Sequence, residues 1–122
     1  MDKIIQIIED ILDEKEKVLA TTNWKVSTTP FVYTVMDFII YATNKRLILV
    51  IKEVYRSIYE LPYYRITSIE LVSKGLLFFK KRYYQIDGDL NDKERKLWRI
   101  PADAENVDEF VEIVKKMIGV VR

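Results

Sequence analysis

Apolar side chains follow two different periods along the chain, and the changes of period divide it into three parts. Ile4, Ile5, Ile8, Ile11 and Leu12 recur at i, i+1, i+4, i+7 and i+8, which makes one apolar stripe of a helix. Asp2 can cap its start, whereas Asp13, Glu14 and Glu16 oppose the negative end of the helix dipole, so the helix is predicted over 4–13. A helix this short is marginal alone and has to dock on its own domain or on a neighbouring copy. From Lys17 to Ile100 the pattern becomes short runs rich in Val, Ile, Tyr, Thr and Phe between polar punctuation, which predicts seven strands: 17–27, 36–43, 46–52, 54–60, 66–73, 76–86 in one or two pieces, and 96–100. After Pro101 the helical period returns. Val107, Phe110, Val111, Val114, Met117 and Ile118 share one face of a helix predicted over 103–119, with Lys115 and Lys116 toward its C-terminal end. Asn106 with Glu109 fits a capping box, and Asp103 is a rival cap one turn earlier.

The connections sharpen this order. Thr43-Asn44-Lys45-Arg46 is a tight polar turn between Phe38–Ala42 and Leu47–Ile51, and Lys52-Glu53 makes the next turn, giving an antiparallel meander. Pro62 lacks an amide donor and suits a sheet corner. Asp87 to Asp92 has the Gly, Asn and Asp of a flexible loop between two late strands. Antiparallel strands followed by one amphipathic helix imply a mainly β (α+β) barrel or orthogonal sandwich closed by that helix, because an open sheet of this size leaves a bare core face and free edges. The expected core comprises Leu19, Trp24, Ile40, Leu47, Leu49, Ile58, Ile69, Leu71, Ile86, Phe110, Val114 and Met117.

A chain of 122 residues forms one domain with a full core. It contains no Cys and no His, which removes disulfides, thiolate and imidazole metal sites and the Ser/His and Cys/His catalytic arrangements. The expectation is a protein that is not an enzyme, with no cofactor and no implied small-molecule substrate. Glu9, Asp10, Asp13 and Glu14 read as a solvated helix face, and Asp87, Asp89 and Asp92 lack the spacing and closing Glu of a calcium loop. The net charge is +1, but residues 2–17 carry six negatives to three positives and residues 74–101 carry eight positives to four negatives. Phe31 to Ile51 is interrupted by Asp37, Asn44, Lys45 and Arg46, so it reads as strands rather than a membrane span. No secretion signal is evident at Met1, and the expected location is cytoplasmic.

Particular residues also resemble the bacterial pleckstrin-homology-like (PH-like) domains. Ala42-Thr43-Asn44-Lys45-Arg46-Leu47-Ile48 is similar to their T-[ND]-K-R-L-I hairpin, and Leu61-Pro62 with Ile66-Thr67-Ser68-Ile69-Glu70 is similar to the segment after their fourth strand. Gly75-Leu76-Leu77, Ala104-Glu105 and Asp108-Glu109-Phe110-Val111 fit their closing loop and helix. The resemblance covers roughly 17–118 and implies a seven-stranded PH-like domain, assigned to 17–122; the amphipathic helix assigned to 1–16 is an addition to it or a family variant. The resemblance also implies a module that binds phosphoinositides, peptides or proteins. Lipid-binding members cluster Lys and Arg at the loop joining the first two strands, whereas here Val26 to Asp37 contains neither and only Lys25 precedes it.

Two surfaces are singled out. Leu77, Phe78 and Phe79, flanked by Lys74, Lys80, Lys81 and Arg82, would suit an anionic membrane surface or an acidic partner, or else lie covered by a terminal helix. Ile4, Ile8, Ile11 and Leu12, with Phe31, Val32, Tyr33 and Met36, exceed what one small core needs and suit self-association as a homo-oligomer. Protein binding or self-association is therefore expected ahead of membrane binding. Single-stranded nucleic acid ranks last: the basic and aromatic residues of 78–99 are interleaved with Asp87, Asp89, Asp92 and Glu94.

Overall fold

The first four strands form one antiparallel meander and the last three another, and a corner at Pro62 joins them. The structure, a computed structural model, describes residues 11–27, 35–51, 58–75, 81–91 and 94–121. Strands β1 (Val18–Ser27), β2 (Val35–Thr43), β3 (Arg46–Ile51) and β4 (Ile58–Pro62) lie in that order in one sheet; β5 (Ile66–Lys74), β6 (Lys81–Asn91) and β7 (Glu94–Pro101) form the second. The β2–β3 turn is held by Thr43, whose Oγ1 accepts the N–H groups of Lys45 and Arg46 at 3.0 Å each. Such a side chain-to-backbone turn is why Thr belongs at this position. Pro62 ends β4, and a 3-10 turn over Tyr63–Arg65 redirects the chain into β5, as a residue without an N–H at a sheet corner allows.

The C-terminal helix (Val107–Val121) closes the space between the sheets. Ile40, Ala42 and Leu47 of the first sheet meet Ile86, Trp98 and Ile100 of the second and Phe110, Val111 and Val114 of the helix, with Leu61, Tyr63 and Ile66 filling the corner. The approach to that helix bridges the edge of β1 at one point: Glu105 N–H donates to Asn23 O at 3.1 Å, and Thr22 Oγ1 donates to Glu105 O at 2.8 Å.

A second apolar cluster lies on the outer face of the first sheet. Ile48 and Val50 are fully buried there, packed with Ile39, Tyr41, Ile58 and with Ile11 and Leu12 of the N-terminal segment. Strand β3 is thus covered on both faces, which accounts for its unbroken Leu-Ile-Leu-Val-Ile run.

Several expectations need correction. The loop placed at 87–92 is mostly strand: β6 runs on to Asn91 and pairs with β7 from Glu94. Leu19 and Leu71 are exposed at 42% and 44% rather than core. On β1 the core-facing residues are Ala20, Thr22 and Trp24, so Leu19 has the wrong parity. Leu71 has the right parity but lies beyond Ile69, where β5 is no longer packed against the core. The helix starts at Val107, because residues before it pair with β1, and it runs past Lys115 and Lys116 to a last turn with no basic residue. Asn106 precedes it with φ 57, a left-handed conformation Asn tolerates, instead of the extended one of a capping box. Near the N-terminus Ile11 is helical and the chain leaves the helix at Leu12; residues 4–10 of the predicted helix lie outside the described residues, as do 52, 54–57 and 76–80 of the predicted strands and the predicted Lys52-Glu53 turn.

Candidate functional site

The densest polar constellation joins the β2–β3 turn to the segment ahead of β1. The Glu16 side chain is fully buried and accepts four hydrogen bonds. Its Oε1 takes the Asp13 N–H and the Arg46 Nη2, both at 3.0 Å, and its Oε2 takes Thr43 Oγ1 at 2.6 Å and Arg46 Nε at 3.1 Å. Arg46 also donates to Ile11 O at 2.9 Å and to Glu60 Oε1 at 2.7 Å. Asn44 pairs with the backbone on both sides of Glu16: its Oδ1 accepts Lys17 N–H at 2.9 Å and its Nδ2 donates to Lys15 O at 3.2 Å. Lys45 lies 3.6 Å from Asp13 in solvent, a contact worth at most about 1 kcal/mol.

Burial alone would raise the Glu16 pKa, but the hydrogen bonds from Arg46, Thr43 and the Asp13 N–H, with the Arg46 charge, more than offset it and hold the carboxyl below its ordinary value of 4.5. Burial likewise works against charged Arg46, and Glu16, Glu60 and Asp13 reverse the sign, holding it above its ordinary value. Burial and the nearby Glu16 charge raise the Tyr63 phenol, which donates to Thr43 O. A buried ion pair is costly to break from one side, about 3 to 5 kcal/mol when the remaining charge is stranded. With four donors on one carboxylate, this constellation holds chain segments together; it does not present a reactive group.

A different surface faces outward. Among the described residues β5 lies at the edge of its sheet, and between it and the C-terminal helix runs a groove of about 160 Å³ lined by Ile66, Thr67, Ser68, Ile69, Lys115 and Ile118. Tyr84 Oη donates to Asp108 Oδ1 at 3.1 Å and ties β6 to the first turn of that helix. Partial burial and then the Asp108 carboxylate raise the Tyr84 pKa. Among the described residues no cluster of His, Cys, Asp and Glu could hold a metal, and no helix is long and apolar enough to cross a membrane.

Of the residues singled out in the sequence, Ile11 and Leu12 lie half-buried on the outer face of this chain's own first sheet. Lys74 and Lys81 sit opposite one another in the β5–β6 register, next to Ser73 opposite an exposed Arg82. Ile4, Ile8, Phe31, Tyr33, Leu77, Phe78, Phe79 and Lys80 lie outside the described residues. Lys25, beside the β1–β2 turn, lies 3.9 Å from Asp37. Sequence reasoning missed Glu16 and Arg46 as partners. The Thr43–Arg46 turn was visible as a motif, but nothing local links it to an acid 30 residues earlier.

A profile of the bacterial PH domain matches residues 12–116. The chain belongs to the bacterial PH domain family. Two solved structures share the fold. The C-terminal domain of an unknown protein from Leishmania infantum superposes with a TM-score of 0.63 at 13% identity, covering 94% of each chain. A DUF1696 family protein with a pleckstrin-homology domain from Shewanella loihica PV-4 gives 0.59 at 17% identity, covering 96% of this chain and 95% of that one. No curated protein matches. The match to the bacterial PH domain includes the Thr43–Arg46 turn and begins at Leu12, so it takes in Glu16 as well as the barrel.

Proposed function

We propose that this bacterial PH domain is a non-catalytic interaction module that takes an extended segment of a partner protein along β5. The observation that carries the reading is the edge position of β5 beside the groove to the C-terminal helix. An edge strand offers backbone donors and acceptors that another strand can match, and an adjoining pocket selects its alternate side chains. Ile69 and Ile118 give the groove an apolar lining and Lys115 gives it a positive rim, which suits apolar residues two apart with an acid nearby. Selection of a random peptide library on the immobilised protein tests this. The expected peptides carry that pattern, shift the amide resonances of 66–71 and 115–118, and bind more weakly to Lys115→Glu. Binders that map elsewhere, or that ignore Lys115→Glu, refute the groove.

One observation favours a second reading, contact with an anionic membrane. Lys74 stands opposite Lys81 in the β5–β6 register and the exposed Arg82 follows in the chain, so one end of this hairpin is rich in basic residues, which an anionic surface would attract. Salt-sensitive co-sedimentation with anionic but not neutral vesicles, weakened by Lys81→Glu, is the result this reading requires; equal recovery from both vesicles removes it.

A further inference from the structure

We infer that the segment around residues 11–16 is a releasable strap over the outer face of the first sheet, and that the Thr43–Arg46 turn is its lock. Every residue of that turn engages the strap or its flank. Thr43 and Arg46 hold the Glu16 carboxylate, Arg46 also holds Ile11 O, Asn44 holds Lys15 O and Lys17 N–H, and Lys45 faces Asp13. What the strap covers is separate from what holds the barrel together. Ile11 and Leu12 pack on Ile48 and Val50, whereas the interior core and the C-terminal helix use Leu47, Ile40 and their neighbours on the opposite face. Side chains of one strand alternate between faces, so the outer cluster can open while the inner one stays closed.

The strap also has a hinge. Lys15 has φ 69, a left-handed conformation that costs a residue with a Cβ some strain and that the hydrogen bonds on either side maintain. Release relaxes this turn and uncovers the Ile48 and Val50 strip. The strap is thus a conformational device distinct from the β5 groove, and its opening does not depend on what the groove binds.

Hydrogen exchange on the full chain tests it, comparing the native protein with Glu16→Gln and with Asn44→Ala, which leaves the buried ion pair in place. The expected result is that amides of 13–17 exchange through an opening at least tenfold more frequent than the one that exposes β6 and the C-terminal helix, and that both variants make the 13–17 opening about tenfold more frequent again. Binding of a hydrophobic dye should rise in parallel as the outer strip is uncovered. If amides of 13–17 exchange only in the opening that also exposes β6 and the C-terminal helix, the strap is an integral part of one cooperative unit and the inference fails. It fails equally if amides of 13–17 keep native rates in both variants.

Discussion

Gly88 shows at a single residue how far local chemistry can mislead. Flanked by Asp87 and Asp89, it reads as the apex of a loop, because Gly, Asp and Asn are turn-formers. In the fold it is a buried strand residue paired with Ile66 on one side and Lys96 on the other. A Cβ there would stand 3.0 Å from Arg65 O and 3.0 Å from Leu61 Cδ1, so the glycine exists to let β6 pass close beneath the corner that joins the sheets. The approach is made by a backbone carbonyl and a core side chain, neither free to swing away. Gly88→Ala should therefore destabilise the domain by about 1 to 3 kcal/mol, read as a lower thermal midpoint with native circular dichroism retained below it. A midpoint at or above that of the native protein would show that the corner gives way without cost. Glu16 teaches the same lesson with opposite chemistry. In the sequence it reads as a charge that ends a helix, and only Arg46, 30 residues further on, reveals it as a buried partner.

Whole elements were more legible where their signals are local. The β2–β3 turn carries its own explanation in the Thr43 hydroxyl, and the Pro62 corner in the missing amide, so both could be placed from a few adjacent residues. Element ends were not local. β6 outlasts its predicted end because β7 is there to pair with it, and the C-terminal helix starts late because Glu105 is bonded to Asn23. Burial along a correctly placed strand depends in the same way on what lies across from it. Ile69 packs on the core and Leu71, two residues further on the same face, does not. The apolar run of β3 held a clue that strand reading alone leaves unused: alternation is lost when both faces are covered, and here Ile11 and Leu12 supply the second cover. For the candidate sites, the sequence marked the Thr43–Arg46 turn as a motif, whereas the groove beside β5 exists only once β5 and the helix are brought together.

Among the described residues of the whole molecule, the titratable groups that the fold shifts stand at both ends of the pH scale, and they predict a stability plateau. Glu16 has a folded pKa below 4.5, its ordinary value, so the folded state prefers it ionised; its contribution is complete above about that pH and is lost as pH falls through the lower, folded value. Tyr63 and Tyr84 are shifted up from 10.0, so the folded state prefers them neutral; their contribution is complete below that pH and is lost as pH rises toward the folded values. Arg46, raised by Glu16, stays charged throughout the range and adds no slope of its own. The expected thermal midpoint is flat from mildly acidic to mildly alkaline pH, and falls on both sides. The two limbs are separable by mutation. Glu16→Gln should lower the plateau and flatten the acid limb, since the variant has no carboxylate there to protonate, while leaving the alkaline limb almost as it was. Tyr63→Phe should reduce the alkaline slope and leave the acid limb in place, because Glu16 keeps its four donors. A Glu16→Gln profile parallel to the native one below pH 4.5 would mean that other carboxylates carry the acid dependence and that this buried one contributes a constant.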